Sequence, residues 1–219
     1  MDVWKAIRQR RSYRFFKPDL IPKHLIEKVL HAGMEAPSSA NMQPWEFVVV
    51  CGVDKDKLSQ SLLQAFSDKR KDYDFDGKEI QFPARLLKRR RSFFDELFQK
   101  LEDKGLDAKS FLQESTFRFW GAPVIILVFM DGRIAKRYFF DIGTCVQNIL
   151  LAAQAEGLGS HLIGLILKFQ NTIKEVLHVP HEKRLVVGIC LGYPDLENPI
   201  NQYKPERDRL DNSVIWIGC

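Results

Sequence analysis

The sequence predicts an α+β domain, a sheet covered by helices on both sides, on three observations. Short runs rich in Val, Ile, Leu and Phe, at Glu46–Cys51, Ala122–Met130 and Arg184–Leu191, read as buried strands. Amphipathic helical stretches precede and separate them. The resulting order is helix, helix, strand, helices, strand, helix, helix, strand, tail strand, which lacks the regular βαβ alternation of a doubly wound fold. The phosphate loops GxGxxG and GxxxxGK[ST] are absent as well.

The totals narrow the function. With 219 residues and 45% hydrophobic content, the chain makes one domain with a real core. The formal net charge is +5, and Lys88-Arg89-Arg90-Arg91 alone holds four positives. No RNP pattern, zinc finger or basic zipper accompanies that charge, so an anionic small ligand is favoured over nucleic acid. Cys51, Cys145, Cys190 and Cys219 are scattered, with no metal-ligand or disulfide spacing, which fits a reducing cytoplasm. The longest apolar run, Ala122–Met130, is too short to span a bilayer, and no membrane partner is expected.

From the N-terminus, Asp2 caps a first helix with Val3, Trp4 and Ile7 on one side. It delivers Arg10-Arg11-Ser12-Tyr13-Arg14-Phe15-Phe16. On a continuing helix Arg10 and Arg14 would share a face. If the helix breaks near Ser12, forked guanidinium donors, a hydroxyl and free amides suit an oxyanion such as phosphate. Read alone, a basic cluster near an N-terminus is most often a solvated face. Pro22 opens a second helix that buries Leu25, Ile26, Val29 and Leu30 and stops at Ala36-Pro37.

The loop Pro37-Ser38-Ser39-Ala40-Asn41-Met42-Gln43-Pro44-Trp45 is rich in hydrogen-bonding side chains and abuts the first strand, a good place for a binding edge. Asp54 is expected to cap the next helix, through Leu58, Leu62 and Phe66. The charged stretch that follows should turn at Asp76-Gly77. Helices at about 84–101 and after Asp107 carry aromatics, Phe93, Phe94, Phe98, Phe111, Phe117, Phe119 and Trp120 among them, that suit core packing for the most part and could also line an apolar pocket. A long helix at about 135–156 has more than one apolar stripe, with Gln147 and Asn148 inside it as tie-down groups. Gly157 supplies its left-handed cap. Next come His161-Leu162-Ile163-Gly164-Leu165, with His161 a structural histidine and Gly164 admitting close approach. In the tail, Arg207 and Arg209 alternate and point the same way if extended, and Ser213–Ile217 is a strand candidate that must dock on its own sheet or a partner's.

Five stretches give the chain a resemblance to the FMN-dependent nitroreductase family. They are Arg10-Arg11-Ser12-x-Arg14-x-Phe16, Ala36-Pro37-Ser38-Ser39-x-Asn41-x-Gln43-Pro44-Trp45-x-Phe47, Asp141-x-Gly143 through Gln147-Asn148 to Leu151-Ala152-Ala153, Gly157-Leu158-Gly159-Ser160, and Arg207-x-Arg209. They lie in family order and leave about 55–120 uncovered. The resemblance implies a three-layer α/β/α fold around a mostly antiparallel sheet, a single domain over 1–219 with a variable helical insertion at about 55–120, and a C-terminal arm at about 200–219. It implies an intertwined homodimer with FMN in each of two interfacial sites. By similarity, Arg10, Arg11, Ser12, Arg207 and Arg209 bind the phosphate end and Arg14 lies near N1 and O2 of the ring. Pro37, Ser38, Ser39 and Asn41 reach the flavin from the other subunit. Leu162, Ile163, Gly164 and Leu165 run beside the ring, with a backbone N–H of Gly164 or Leu165 near N5. A ring-contacting Asn and Lys of some members have only rough counterparts, Glu114 and Arg118.

The activity so implied is NAD(P)H:acceptor oxidoreduction by ping-pong hydride transfer, with nitroaromatic, quinone or flavin acceptors and no metal or side-chain nucleophile. Alternatives are a flavin-dependent reductive dehalogenase, a flavin-fragmenting relative, or a non-enzymatic flavin-binding protein. For the dehalogenase, Tyr73, Lys78 and Glu79 fall near the lid region without its spacing.

Overall fold

The computed structural model describes residues 1–70 and 82–218. The turn expected at Asp76-Gly77, the lid candidates Tyr73, Lys78 and Glu79, and Cys219 lie outside the described residues. Four strands, β1 (Glu46–Cys51), β2 (Val124–Asp131), β3 (Gly159–Ile163) and β4 (Lys183–Gly192), form one antiparallel sheet in the order β1-β2-β4-β3. β2 is central and buried on both faces, so it reads as a continuous apolar run rather than an alternating one.

The helices are α1 (Val3–Gln9), α2 (Lys23–Met34), α3 (Gly52–Ser67), α4 (Ala84–Glu102), α5 (Ala108–Phe117), α6 (Phe139–Ala155), α7 (Gln170–Leu177) and the short α8 (Pro199–Gln202). The pleat of β2 sorts them into layers. Val124, Ile126, Val128 and Met130 pack against Val29 of α2 and Ile142, Ile149 and Ala153 of α6. Ile125, Leu127 and Phe129 face Leu58 and Leu62 of α3, Phe117 of α5 and Ile173 of α7. The result is the expected α/β/α sandwich. A smaller cluster joins Leu97 and Leu101 of α4 to Ile200 and Tyr203 of the C-terminal arm. Among the described residues no helix is long and apolar enough to cross a membrane.

Several local expectations change. α1 ends at Gln9, with Arg10 as its cap, so Arg10 and Arg14 share no helical face. Its apolar side stays bare: Trp4 is 67% and Ile7 46% exposed, while Ala6 is buried. α3 starts at Gly52, placing Asp54 in the first turn instead of the cap. α6 begins at Phe139, after a 3₁₀ turn at Lys136–Tyr138. Ser213–Ile217 forms no strand within the chain, and Ile215 and Trp216 are 88% and 68% exposed.

Candidate functional site

Where α1 stops, the chain lies along the ends of β3 and β4. Ser12 bridges Ser160, and the Tyr13 N–H donates to the Ser160 carbonyl at 3.0 Å. Further on, the Lys17 N–H donates to Tyr193 O at 2.8 Å and the Asp195 N–H to Phe15 O at 3.1 Å. Two glycines make this path possible. Gly157 takes φ +77 to end α6, and a Cβ on Gly159 would sit 2.8 Å from the Tyr13 ring.

Asn201, only 2% exposed, fixes the segment from the other side. Its Oδ1 accepts from the Arg14 N–H at 2.7 Å and the Phe15 N–H at 3.3 Å. Its Nδ2 donates to Phe15 O at 2.7 Å and Asp195 O at 2.8 Å. Arg11 Nη1 in turn donates to the carbonyls of Asn201 and Gln202 at 3.2 and 3.3 Å. Arg11 thus ties the arm backbone through Nη1 while it also lines the cavity described next, and its Nε is buried with no partner among the described residues.

These ties bring Arg10, Ser12, Arg14 and Arg207 around one cavity of about 130 Å³ that also touches Phe93 and Tyr203. Among the described residues no carboxylate lines it. Burial, and then the charge of Arg207, pull the Arg10 guanidinium below its ordinary value. Two guanidiniums that repel each other beside a hydroxyl, in a cavity that no described carboxylate lines, make a seat for an oxyanion. Arg209 does not join them: its Nη2 lies 3.4 Å from Asp211, and its side chain is 83% exposed. The expected alternation fails because the chain turns into a 3₁₀ segment at Leu210–Asn212.

Arg14 lies deeper. It is 9% exposed, and its guanidinium is 5.6 Å from the Phe93 ring centre and 5.7 Å from that of Trp120. Burial pushes it down to about 10, so it stays charged at neutral pH. Phe119 and Trp120 both have positive φ, 54° and 57°. Such a backbone is strained for bulky residues and persists only where its surroundings hold it.

β3 leads away from this cavity. Leu162 is 41% exposed and Gly164 is open, with nothing within 4 Å of a Cβ placed on it. Leu165 starts a 3₁₀ turn and is half-buried. The side chain of Ile163 is buried at 2% in the core, so only its backbone is available to a ligand. Glu114 and Arg118 are exposed and lie outside the cavity.

The serine loop is built separately. The Ser39 N–H donates to Asp141 Oδ2 at 3.1 Å and Thr144 Oγ1 to Pro37 O at 3.2 Å, both on α6. Ser38 Oγ accepts from the Gln43 N–H at 3.0 Å, and Ala40, Asn41 and Gln43 all take positive φ. Ser39 and Asn41 are exposed, presenting polar groups outward. Asn148 ties α2 by donating to Ala32 O at 3.2 Å, whereas Gln147 is exposed. Asp141 lies in the first turn of α6 and Ser160 just beyond its end, and α6 has 17 residues. The loop and the arginine cavity are thus about 25 Å apart along one helix.

Sequence reasoning missed Tyr203 and Lys204 at the cavity and Asn201 behind it, while Phe93, one of the aromatics that could line a pocket, does reach it. The Asn198 cap with Pro199 behind it marked a turn in the arm, and nothing marked Asn201 itself.

The nitroreductase family model matches residues 7–193. Nitroreductase NfnB of Mycolicibacterium smegmatis is 31% identical over 213 residues, covering 96% of this chain and 90% of that protein. A 4-nitrobenzoate reductase of Pseudomonas putida is 30% identical over 99% of this chain and 96% of its own length. The crystal structure of the FMN-dependent nitroreductase NfnB from Mycobacterium smegmatis in complex with NADPH superposes with a TM-score of 0.89 at 30% identity, covering 99% of this chain and all of that one. With the sandwich fold, the arginine segment and the serine loop in place, these matches show that the chain belongs to the nitroreductase family.

Proposed function

We propose that this protein is an FMN-dependent NAD(P)H:acceptor oxidoreductase that reduces nitroaromatic compounds, with quinones and free flavins as further acceptors. The observation that carries the reading is the carboxylate-free cavity where Arg10, Ser12 and Arg207 converge, with Arg14 behind it. Its donor set fits the phosphate end of FMN. When bound, FMN supplies the two-electron chemistry, drawing on NAD(P)H and discharging to the acceptor in alternate half-reactions.

The chain's own residues bind, orient and shield. Arg10, Ser12 and Arg207 hold the anionic tail. Arg14 sets a positive charge beside the pyrimidine edge of the ring, in a site dry enough for that charge to count. The open backbone at Gly164 would admit the ring beside β3, and the N–H of Gly164 or Leu165 would serve N5.

Pro37, Ser38, Ser39 and Asn41 act on the flavin of a partner subunit, since within one chain they sit at the wrong end of α6. A homodimer also gives cover to Trp4, Phe140 (78% exposed), Ile215 and Trp216. The unpaired thiols Cys51, Cys145 and Cys190 suit a reducing cytoplasm.

The test is direct. Purified protein should be dimeric and yellow, bleach on anaerobic addition of NADPH or NADH, and recolour with 4-nitrobenzoate. A colourless protein that takes up no FMN at micromolar concentration sinks the proposal. Recolouring by a halotyrosine but by no nitroarene or quinone moves the reading to reductive dehalogenation.

A further inference from the structure

His161 is a polar ring in an apolar layer. On β3 it stands opposite Cys190, so both side chains enter the face that also holds Trp120. It is 8% exposed, with its ring centre 5.0 Å from that of Trp120. It hydrogen-bonds the Tyr13 backbone, while its Nδ1 is buried with no partner among the described residues. The bonding nitrogen is therefore Nε2, which carries the proton and donates to the Tyr13 carbonyl. The Arg14 guanidinium packs on the same indole. A phenyl ring would fill this space and leave no orphaned lone pair, so packing alone does not account for a histidine here.

We propose that His161 is a positioning residue for Arg14: its Nε2–H pins the Tyr13 carbonyl, and its uncharged ring with Trp120 walls the guanidinium into one orientation toward the flavin ring. The inference rests on the reading that Arg14 serves bound FMN. The anchor is one residue before Arg14, whose own N–H is held by Asn201 at 2.7 Å, so the backbone is clamped on both sides. Burial and the charge of Arg14 push His161 down to about 3, which keeps the ring neutral beside a cation it would otherwise repel.

A fixed guanidinium beside the ring favours the electron-rich reduced flavin and so raises its reduction potential. The test compares wild type, Arg14→Gln, His161→Phe, His161→Asn and His161→Gln in the FMN-loaded dimer. The readouts are the two-electron midpoint potential of the bound flavin, the FMN dissociation constant and the melting temperature of the apoprotein. The glutamine amide nitrogen reaches the place of Nε2 and the asparagine nitrogen that of Nδ1, so only glutamine restores the anchor. We expect Arg14→Gln, His161→Phe and His161→Asn to lower the potential, with FMN affinity staying near wild type in the two His161 variants. His161→Gln should recover most of it. If His161→Phe does not fold, the asparagine and glutamine pair decides. Equal potentials for that pair, or a wild-type potential in His161→Phe beside a shifted Arg14→Gln, overturn the inference and leave the flavin reading intact. An unshifted Arg14→Gln overturns both the inference and the role given to Arg14.

Discussion

Replacing Asn201 by leucine should damage stability and cofactor binding together. The side chain is nearly isosteric, so little volume changes. Four hydrogen bonds vanish, to Arg14 N, Phe15 N, Phe15 O and Asp195 O. Each buried group left without a partner costs about 1–3 kcal/mol, less where water can enter, so the four together cost roughly 4 kcal/mol. That is a large share of the roughly 5–15 kcal/mol that holds a domain folded. The loss falls on the strand that carries Ser12 and Arg14, so the arginine cavity loosens as well. Urea unfolding of the apoprotein measures the first effect, and fluorescence titration with FMN the second. Asn201→Asp gives an internal control: it keeps an acceptor for the two N–H groups but faces two carbonyls with a carboxylate, so it too should destabilise. A loss below about 1 kcal/mol in Asn201→Leu, with unchanged FMN affinity, would refute the claim that this side chain builds the site.

Other outcomes follow from the same geometry. Arg207→Ala should weaken FMN binding by roughly ten- to a hundredfold, the worth of a charge-assisted phosphate contact, while Arg209→Ala, paired with Asp211 outside the cavity, should stay close to wild type. Gly159→Ala drives a Cβ to 2.8 Å from the Tyr13 ring and should lower both the melting temperature and FMN affinity. Because the folded value of His161 is depressed, the unfolded chain takes up a proton that the native state refuses. Stability should therefore fall as pH drops from about 6.5 towards about 3, by up to roughly 1.4 kcal/mol per pH unit, and His161→Gln should remove that part of the acid limb in urea unfolding. Deleting residues 210–218, where Ile215 and Trp216 stand bare, should shift the protein towards monomer in sedimentation and cost it FMN.

The layers were legible because burial writes itself into composition. β2, buried on both faces, is an unbroken apolar run, and α2 and α6 carry apolar stripes that need a sheet to cover. A cap was legible where a side chain does the capping, as at Asp2, which accepts from the Lys5 N–H. The start of α3 was not, because Cys51 and Gly52 offer no capping side chain and Asp54 two residues later looks like one. The arginines were visible as a cluster, but what selects among them is long-range. Arg10 and Arg207 meet because Asn201, 187 residues from Arg14, ties the arm to the N-terminal segment. A contact of that separation leaves no trace in local spacing, so Arg209 looked as suitable as the arginines that line the cavity.

The same reasoning explains why the serine loop reads as functional although it touches nothing chemical in its own chain. Three residues with positive φ within four positions, and none of them glycine, are held by Asp141, Thr144 and Ser38. A surface turn needs no such enforcement, since Gly at these positions would remove the strain. The enforced shape projects Ser39 and Asn41 into solvent at one end of α6, while the cationic cavity waits at the other. In the homodimer proposed above, a two-fold axis would bring each loop to the other copy's cavity. On that proposal the strain serves a site that the pair completes. Asp141→Asn, which weakens the carboxylate's hold on the Ser39 N–H, should loosen FMN in the dimer while leaving a single chain's stability nearly unchanged. FMN titration beside apoprotein unfolding separates the two effects, and a variant that loses stability without losing FMN affinity would assign the loop to packing instead.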